Sequence, residues 1–311
     1  MQVLFRKELS DHLDSFRFLI IFVMGMLIAG VSLYSALGGI GTAVSESTTS
    51  NYVFLRLFVT SNGSIPSFSS FIMLIGPLIG LLLGFDAINS ERSGGTLDRL
   101  LAQPIHRDDV INGKFLAGVA VIAIMLTSMT LLVCGAGLIG IGIPPSGEEI
   151  IRILVFLFFS IVYTSFWLGL AILLSIVSRH AATSALSVIA IWLILTFFMT
   201  LITAGLAGAL FPAETLEMAE KSLAFQQQFS RISPSVLYSE TISTILDPTT
   251  RTLGITSFVQ YEQLSVAVAG VLPLGQSLLL VWPHLVGIIA ESLIIFVISY
   301  IVFMKQEIRG A

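Results

Sequence analysis

The chain has 311 residues, of which 55% are hydrophobic and only 11% charged, and its mean hydropathy is +0.96. Soluble domains carry roughly 25% charged residues, so this composition excludes a soluble globular protein and indicates a polytopic membrane protein. A net charge of −4 supports no nucleic-acid partner, and the single cysteine, Cys134, excludes an intramolecular disulfide or a multi-cysteine metal site.

Residues 1–17, "MQVLFRKELSDHLDSFR", mix acids with bases, and no small-residue cleavage site follows the next apolar run, so they are not a secretory signal. Leu4, Phe5, Leu9, Leu13 and Phe16 recur every three to four residues, which makes one face of an amphipathic helix. Just ahead of a span, such a helix is expected to lie in the membrane interface.

About 20 apolar residues cross a bilayer as a helix. Six runs qualify: Phe18–Leu37, Phe68–Ala87, Phe115–Ile141, Ile153–Val177, Ala181–Leu210 and Val281–Met304. None shows the period-two alternation of barrel strands. The expected fold is therefore an all-α membrane protein. It has six transmembrane helices, the interfacial helix of residues 1–17, and a helical extracytoplasmic segment between helices five and six.

Orientation follows from the distribution of Lys and Arg. With both termini in the cytoplasm, ten basic residues lie inside (Arg6, Lys7, Arg17, Arg92, Arg99, Arg107, Lys114, Arg179, Lys305 and Arg309). Five lie outside: Arg56, Arg152, Lys221, Arg231 and Arg251. The chain then divides into a cytoplasmic helix (1–17), spans one to five (18–211) with a cytoplasmic loop at 86–114, an extracytoplasmic segment (212–280), a last span (281–304) and a cytoplasmic tail (305–311). The expected location is the cell membrane, multi-pass, with both ends cytoplasmic. A second cytoplasmic turn, "SRH" at 178–180, joins spans four and five. The outer segment is long enough to carry structure of its own. It reads as helix over "ETLEMAEKSLAFQQQFSR", a break at Ser233-Pro234, a second helix "SVLYSETISTIL", and a turn at Asp247-Pro248.

The stretch "ERSGGTLDRLLAQPIHRDDVINGK", residues 91–114, stands out between two apolar runs. Ser93-Gly94-Gly95 breaks the helix leaving span two, and the Thr96 hydroxyl can cap a new turn. Leu97, Leu100, Leu101 and Ile105 give that turn an apolar side, Asp98 and Arg99 a wet one, and Pro104 stops it. Asp108 and Asp109 then favour a helix N-terminus. Such a loop could be a solvated connector whose charges only enforce topology. An apolar helix face with neither lipid nor core to cover, however, suits a partner's groove.

Two further ionisable groups need placing. Glu291 falls near mid-bilayer in the last span, where a carboxylate is costly and normally faces protein or water. It is either a residue of a translocation path or a neutral carboxyl that fixes helix packing. His284, beside Pro283, is expected at the outer membrane interface.

No G-x4-G-K-[ST] phosphate loop is present: Gly113-Lys114 is followed by Phe115 and lacks the upstream glycine. Neither H-E-x2-H nor G-x-S-x-G occurs, which argues against a membrane protease or lipase. No catalytic residue and no metal site are expected, and the chain is not expected to be an enzyme.

The loop as a whole, E-x3-G-T-L-x2-L-L-x2-P-x2-R-x5-G-K after Asp86, resembles the first cytoplasmic loop of type-2 ABC exporter permeases. The interfacial helix, the six spans and the closing "FMKQEIR" extend the resemblance along the chain. The resemblance implies a coupling helix that docks on a separate ABC ATPase subunit. Glu91, Gly95, Thr96, Leu97, Leu100, Leu101, Pro104, Arg107 and Lys114 would belong to that contact, and Arg179 and His180 to a second, smaller one. It implies that ATP and Mg are bound by the partner and not by this chain. It also implies that two permease copies assemble into one pathway, since one six-span chain is half of it. The long outer segment is similar to that of permeases serving copper-enzyme maturation, and an extracytoplasmic accessory protein is a further expected partner. Two other readings stay open. One is an ion-gradient-driven secondary transporter, although no inverted repeat is evident. The other is a membrane scaffold that recruits an envelope enzyme.

Overall fold

The computed structural model describes residues 1–44, 52–95, 106–212, 215–254 and 271–305, and every element among them is helical. Helix α1 (Gln2–Leu13) precedes the first span, α2 (Phe16–Val44). A short helix α3 (Val53–Val59) buries Phe54, Leu55, Leu57 and Phe58. The second span, α4 (Phe68–Gly84), starts at Ser67, whose hydroxyl accepts from the Ser70 amide, and is followed by the single turn α5 (Asn89–Ser93). Then come α6 (Arg107–Ile141) and α7 (Gly147–Val177). The fifth span is α8 (Ala181–Leu193), a π-helical turn (Ile194–Phe198) and α9 (Met199–Leu210). Helices α10 (Leu216–Ser230) and α11 (Pro234–Leu246) lead to the last span, α12 (Leu274–Lys305). Among the described residues six helices are long and apolar enough to cross a membrane, in agreement with the hydropathy of the sequence.

Helix α7 is the hub. Its most apolar stretch is 67% buried inside the chain, against 11% for the fifth and last spans. Exposed Leu186, Ile194, Phe197, Phe198 and Leu201 leave the fifth span facing outward. Close packing on α7 depends on glycine. Gly76, Gly80 and Gly84 fall four apart on one face of α4, and a Cβ at Gly80 would stand 2.6 Å from the Leu168 amide nitrogen and 2.8 Å from the Thr164 carbonyl oxygen. Between apolar helices in lipid, such small residues let backbones approach and dispersion do the holding.

Between spans five and six the described residues form two helices, as expected, with α10 capped by Thr215. The second helix does not stay outside the bundle. The Tyr163 and Ser235 hydroxyls are 3.1 Å apart, Ser160 and Tyr238 share a hydrogen bond of 2.8 Å, and Arg152 donates to the Ile245 carbonyl at 2.8 Å. Arg152 and Tyr163 are separated by about 16 Å along α7 at 1.5 Å per residue. Helix α11 therefore runs antiparallel to α7 and reaches about half its depth. The Tyr163 and Tyr238 rings stack at 4.4 Å. Just ahead of α11, the Ser233 hydroxyl donates to the Leu195 carbonyl at 2.7 Å, and Thr196 and Ser235 lie 2.9 Å apart. Both partners belong to the π-helical turn, whose wider winding leaves backbone carbonyls for side chains to satisfy. Thirteen residues rich in Ser and Thr read as non-membrane in sequence, and only this pairing of hydroxyls makes their burial tolerable.

Candidate functional site

Helix α1, the end of α4, α5, the start of α6 and the end of α7 converge on one face of the bundle. At their centre Lys114, 7% exposed, sets its ammonium 3.0 Å from Glu8 of α1 and 2.8 Å from Glu91 of α5. Gly113 makes this approach possible, since a Cβ there would come within 3.3 Å of the Leu4 Cβ. Lys7 adds contacts to Glu8 at 3.3 Å and Asp11 at 3.4 Å, and the N-terminal amine lies 3.4 Å from Asp109. Arg17 pairs with Asp86 and lies 5.5 Å above the Phe85 ring. Burial alone would raise the Glu8 pKa, but Lys114 and then Lys7 outweigh it and hold the carboxyl below its ordinary value. Burial lowers the Lys7 pKa in turn, and Glu8 with Asp11 more than restores it. For His12 burial wins, assisted by Lys114, and the imidazole is held below its usual value.

These contacts fasten both ends of the predicted coupling loop. On the entering side the Ile88 and Asn89 amides donate to the Ser175 hydroxyl at 3.0 and 3.2 Å, and Arg92 donates to the Ile176 carbonyl at 3.4 Å. The chain leaves α5 through Gly95 at φ +62°, a left-handed conformation that glycine adopts without strain. On the returning side Arg107 opens α6, with Asp108 and Asp109 in the first turn as the macrodipole favours. Thr96, Leu97, Leu100, Leu101 and Pro104 lie outside the described residues. Arg179 and His180, both exposed, form the turn from α7 to α8, and the His180 carbonyl accepts from Thr183 at 2.7 Å. Because Ser175 and Ile176 hold Ile88, Asn89 and Arg92, the root of the loop and the 178–180 turn are neighbours on one surface. Glu8 and Ser175 were not singled out from the sequence. Glu8 carried a weak signal, as an acid beside the apolar face of α1.

At the other end of the bundle Arg152, 0% exposed, donates to Glu148 at 2.9 Å, Ser277 at 3.2 Å and the carbonyls of Ile245 and Leu272 at 2.8 and 2.7 Å. It ties α7, α11 and α12 together. His284, expected at the outer membrane interface, is buried among the helices. Its Nε2 lies 2.6 Å from Glu240 on α11, and Arg231 reaches the same oxygen at 3.0 Å. The re-entrant helix supplies the acid that makes this burial tolerable, and nothing local to His284 announces it.

Glu291 falls on the face of α12 that carries Ile288 and Ile295, one turn beyond Gly287, where Leu237 of α11 packs. It is half-buried, and its buried Oε2 has no hydrogen-bond partner among the described residues. No group of three or more His, Cys, Asp or Glu residues suited to a metal occurs among the described residues.

Six helical spans, an amphipathic leading helix and a charged loop braced at both roots define a polytopic membrane protein of transporter architecture. The chain belongs to the ABC-2 family of transporter proteins, whose model matches residues 2–308. It is also similar to two proteins named as probable ABC transporter permease protein NosY. One, from Pseudomonas aeruginosa, is 35% identical over 119 residues, and the other, from Stutzerimonas stutzeri, is 34% identical over 119 residues. Each aligned stretch spans 38% of this chain and 38% of the relative.

Proposed function

We propose that this chain is the membrane-spanning permease subunit of an ATP-driven ABC exporter, and that a separate ABC ATPase subunit docks on the loop at 86–114. The observation that carries this reading is the bracing of that loop. Lys114 links its two ends to α1, Ser175 links it to α7, and exposed Arg179 and His180 stand beside it. A loop tied to both α1 and α7 can pass a push from a docked partner into the bundle, which a floppy connector cannot. Thr96–Gln103 is the proposed coupling helix, with Arg179 and His180 as the second contact. ATP and Mg belong to the partner. The basic-residue distribution sets this face in the cytoplasm.

Two copies would form the pathway, and the outward-facing fifth span suits that assembly. ATP-driven closure of the ATPase pair would move the docked loops and switch the spans between inward- and outward-facing states. Glu291, half-buried with an unsatisfied oxygen, is our candidate for a residue on that path. The permease names of the two relatives support the reading, and the long segment between spans five and six keeps the copper-enzyme-maturation subgroup and an accessory partner as its finer form.

Leu100→Asp tests it. Burying one Leu stabilises docking by roughly 1.5–3 kcal/mol, and about 1.4 kcal/mol is tenfold in affinity. Capture of the ATPase subunit should fall at least tenfold, with loss of ATP-dependent transport in vesicles. A variant that keeps both would return the loop to a solvated connector.

A further inference from the structure

Two contiguous cavities lie between the α1–α2 junction and the end of α4, sharing Asp11, His12, Leu83 and Asp86. The inner one, of about 180 Å³, sets four carboxylates (Glu8, Asp11, Asp86 and Glu91) against the two ammonium groups of Lys7 and Lys114. Burial keeps His12 from adding a positive charge near neutrality. The inner cavity thus holds a formal excess of two negative charges. The outer one, of about 330 Å³, is walled by Phe16, Phe18, Ile21 and Leu82, with Arg17 on its rim. Phe16 opens the first apolar span, so the outer cavity sits where lipid headgroups give way to acyl chains.

We propose that these joined cavities bind a phospholipid with a primary-amine headgroup, of the phosphatidylethanolamine type. Its ammonium enters the acidic inner cavity, its phosphate meets Arg17, and an acyl chain lies along Phe18, Ile21 and Leu82.

The existing ion pairs leave room for this. An ionised carboxylate offers about four acceptor sites and a guanidinium five donors, while among the described residues Asp11 pairs only with Lys7 and Asp86 with Arg17. A primary ammonium brings three N–H donors to those carboxylates. A trimethylammonium headgroup brings none, so choline lipids gain charge attraction without hydrogen bonds. A glycerol headgroup is uncharged and brings hydroxyl donors without a positive charge, so it forgoes the charge attraction of the inner cavity. The proposal needs only that the chain spans a membrane, and it stands apart from the permease reading.

The full-length chain, purified in detergent and delipidated, would be titrated with phosphatidylethanolamine, phosphatidylcholine and phosphatidylglycerol and read by native mass spectrometry. The ethanolamine lipid should bind at least tenfold more tightly than the other two. Asp11→Asn should erase that preference, Arg17→Gln should weaken all three lipids together because each brings a phosphate, and Asp14→Asn, outside both cavities, should leave both affinity and preference unchanged. Thermal melting checks the fold of each variant. Should Arg17→Gln unfold, Asp11→Asn decides, since the Asp11 side chain is 61% exposed and tolerant of change. Equal binding of the ethanolamine and choline lipids would mean annular lipid only and would overturn the proposal. So would a preference for phosphatidylglycerol, or a preference that survives Asp11→Asn.

Discussion

Lys114 Nζ lies 3.0 Å from Glu8 Oε2, across 106 residues of sequence, with both side chains only 8% exposed. This pair, closed by Glu91, fixes the leading helix to the root of the charged loop. Removing one partner of a buried ion pair leaves an uncompensated charge and costs about 3–5 kcal/mol. Lys114→Met should therefore lower the melting temperature clearly and loosen α1. Converting Glu8 and Glu91 to Leu in the same chain should recover much of that loss, because well-packed apolar replacements of buried ion pairs are often neutral. A single variant that melts like the wild type would show that water, not Glu8 and Glu91, satisfies the ammonium.

Acid should detach α1. His12 has a folded pKa below 6.5 and Glu8 one below 4.5, so on acidification the undocked state takes up each proton first. The His12 contribution is complete above pH 6.5 and declines below it. The Glu8 contribution is complete above pH 4.5 and is lost as pH falls through its lower folded value. A spin label at exposed Val3, in a Cys134→Ala background, should gain mobility in two stages. His12→Gln should remove the stage nearer neutrality and leave the acidic one, and a label that stays immobile at low pH would contradict both assignments.

Gly80→Ala and Gly118→Ala should differ in severity. A Cβ at Gly80 meets backbone of α7 at 2.6 Å, whereas one at Gly118 meets the Leu168 side-chain tip at the same 2.6 Å. A side chain can rotate away and a helix backbone cannot. Overpacking costs about 1–3 kcal/mol, and Gly80→Ala is expected at the upper end with Gly118→Ala well below it. Melting temperatures in detergent read the order, and the reverse order would place the rigid contact elsewhere.

Glu291→Gln keeps side-chain volume and removes the charge. It should fold and hold its ATPase partner as the wild type does, yet lose transport at least tenfold if the carboxyl serves the path. Transport at the wild-type rate would assign Glu291 to helix packing instead. Vesicle transport and partner capture, measured on the same preparations, separate the outcomes.

The six spans, the leading amphipathic helix and the glycine break before the charged loop were all legible in the sequence. Each depends on local composition or periodicity: an apolar run long enough for a bilayer, leucines at helical spacing, a Gly95 at positive φ. The charged loop stands out in the sequence too, as a motif with its residues at fixed spacing. Its bracing does not. Glu8, Glu91, Lys114 and Ser175 lie far apart in the chain, and no local pattern specifies a contact across 106 residues.

The re-entrant helix marks the same boundary more sharply. "PSVLYSETISTIL" is too short and too polar to read as membrane-buried. It is buried because Tyr163, Ser160 and the π-helical turn of the fifth span offer partners for Ser233, Ser235 and Tyr238. The same packing makes His284 the buried partner of Glu240. Hydropathy measures the cost of moving a segment from water to lipid, and by itself it determined which helices span. Whether a polar segment can be buried depends on the hydrogen-bond partners it meets there, and only the tertiary structure supplies them.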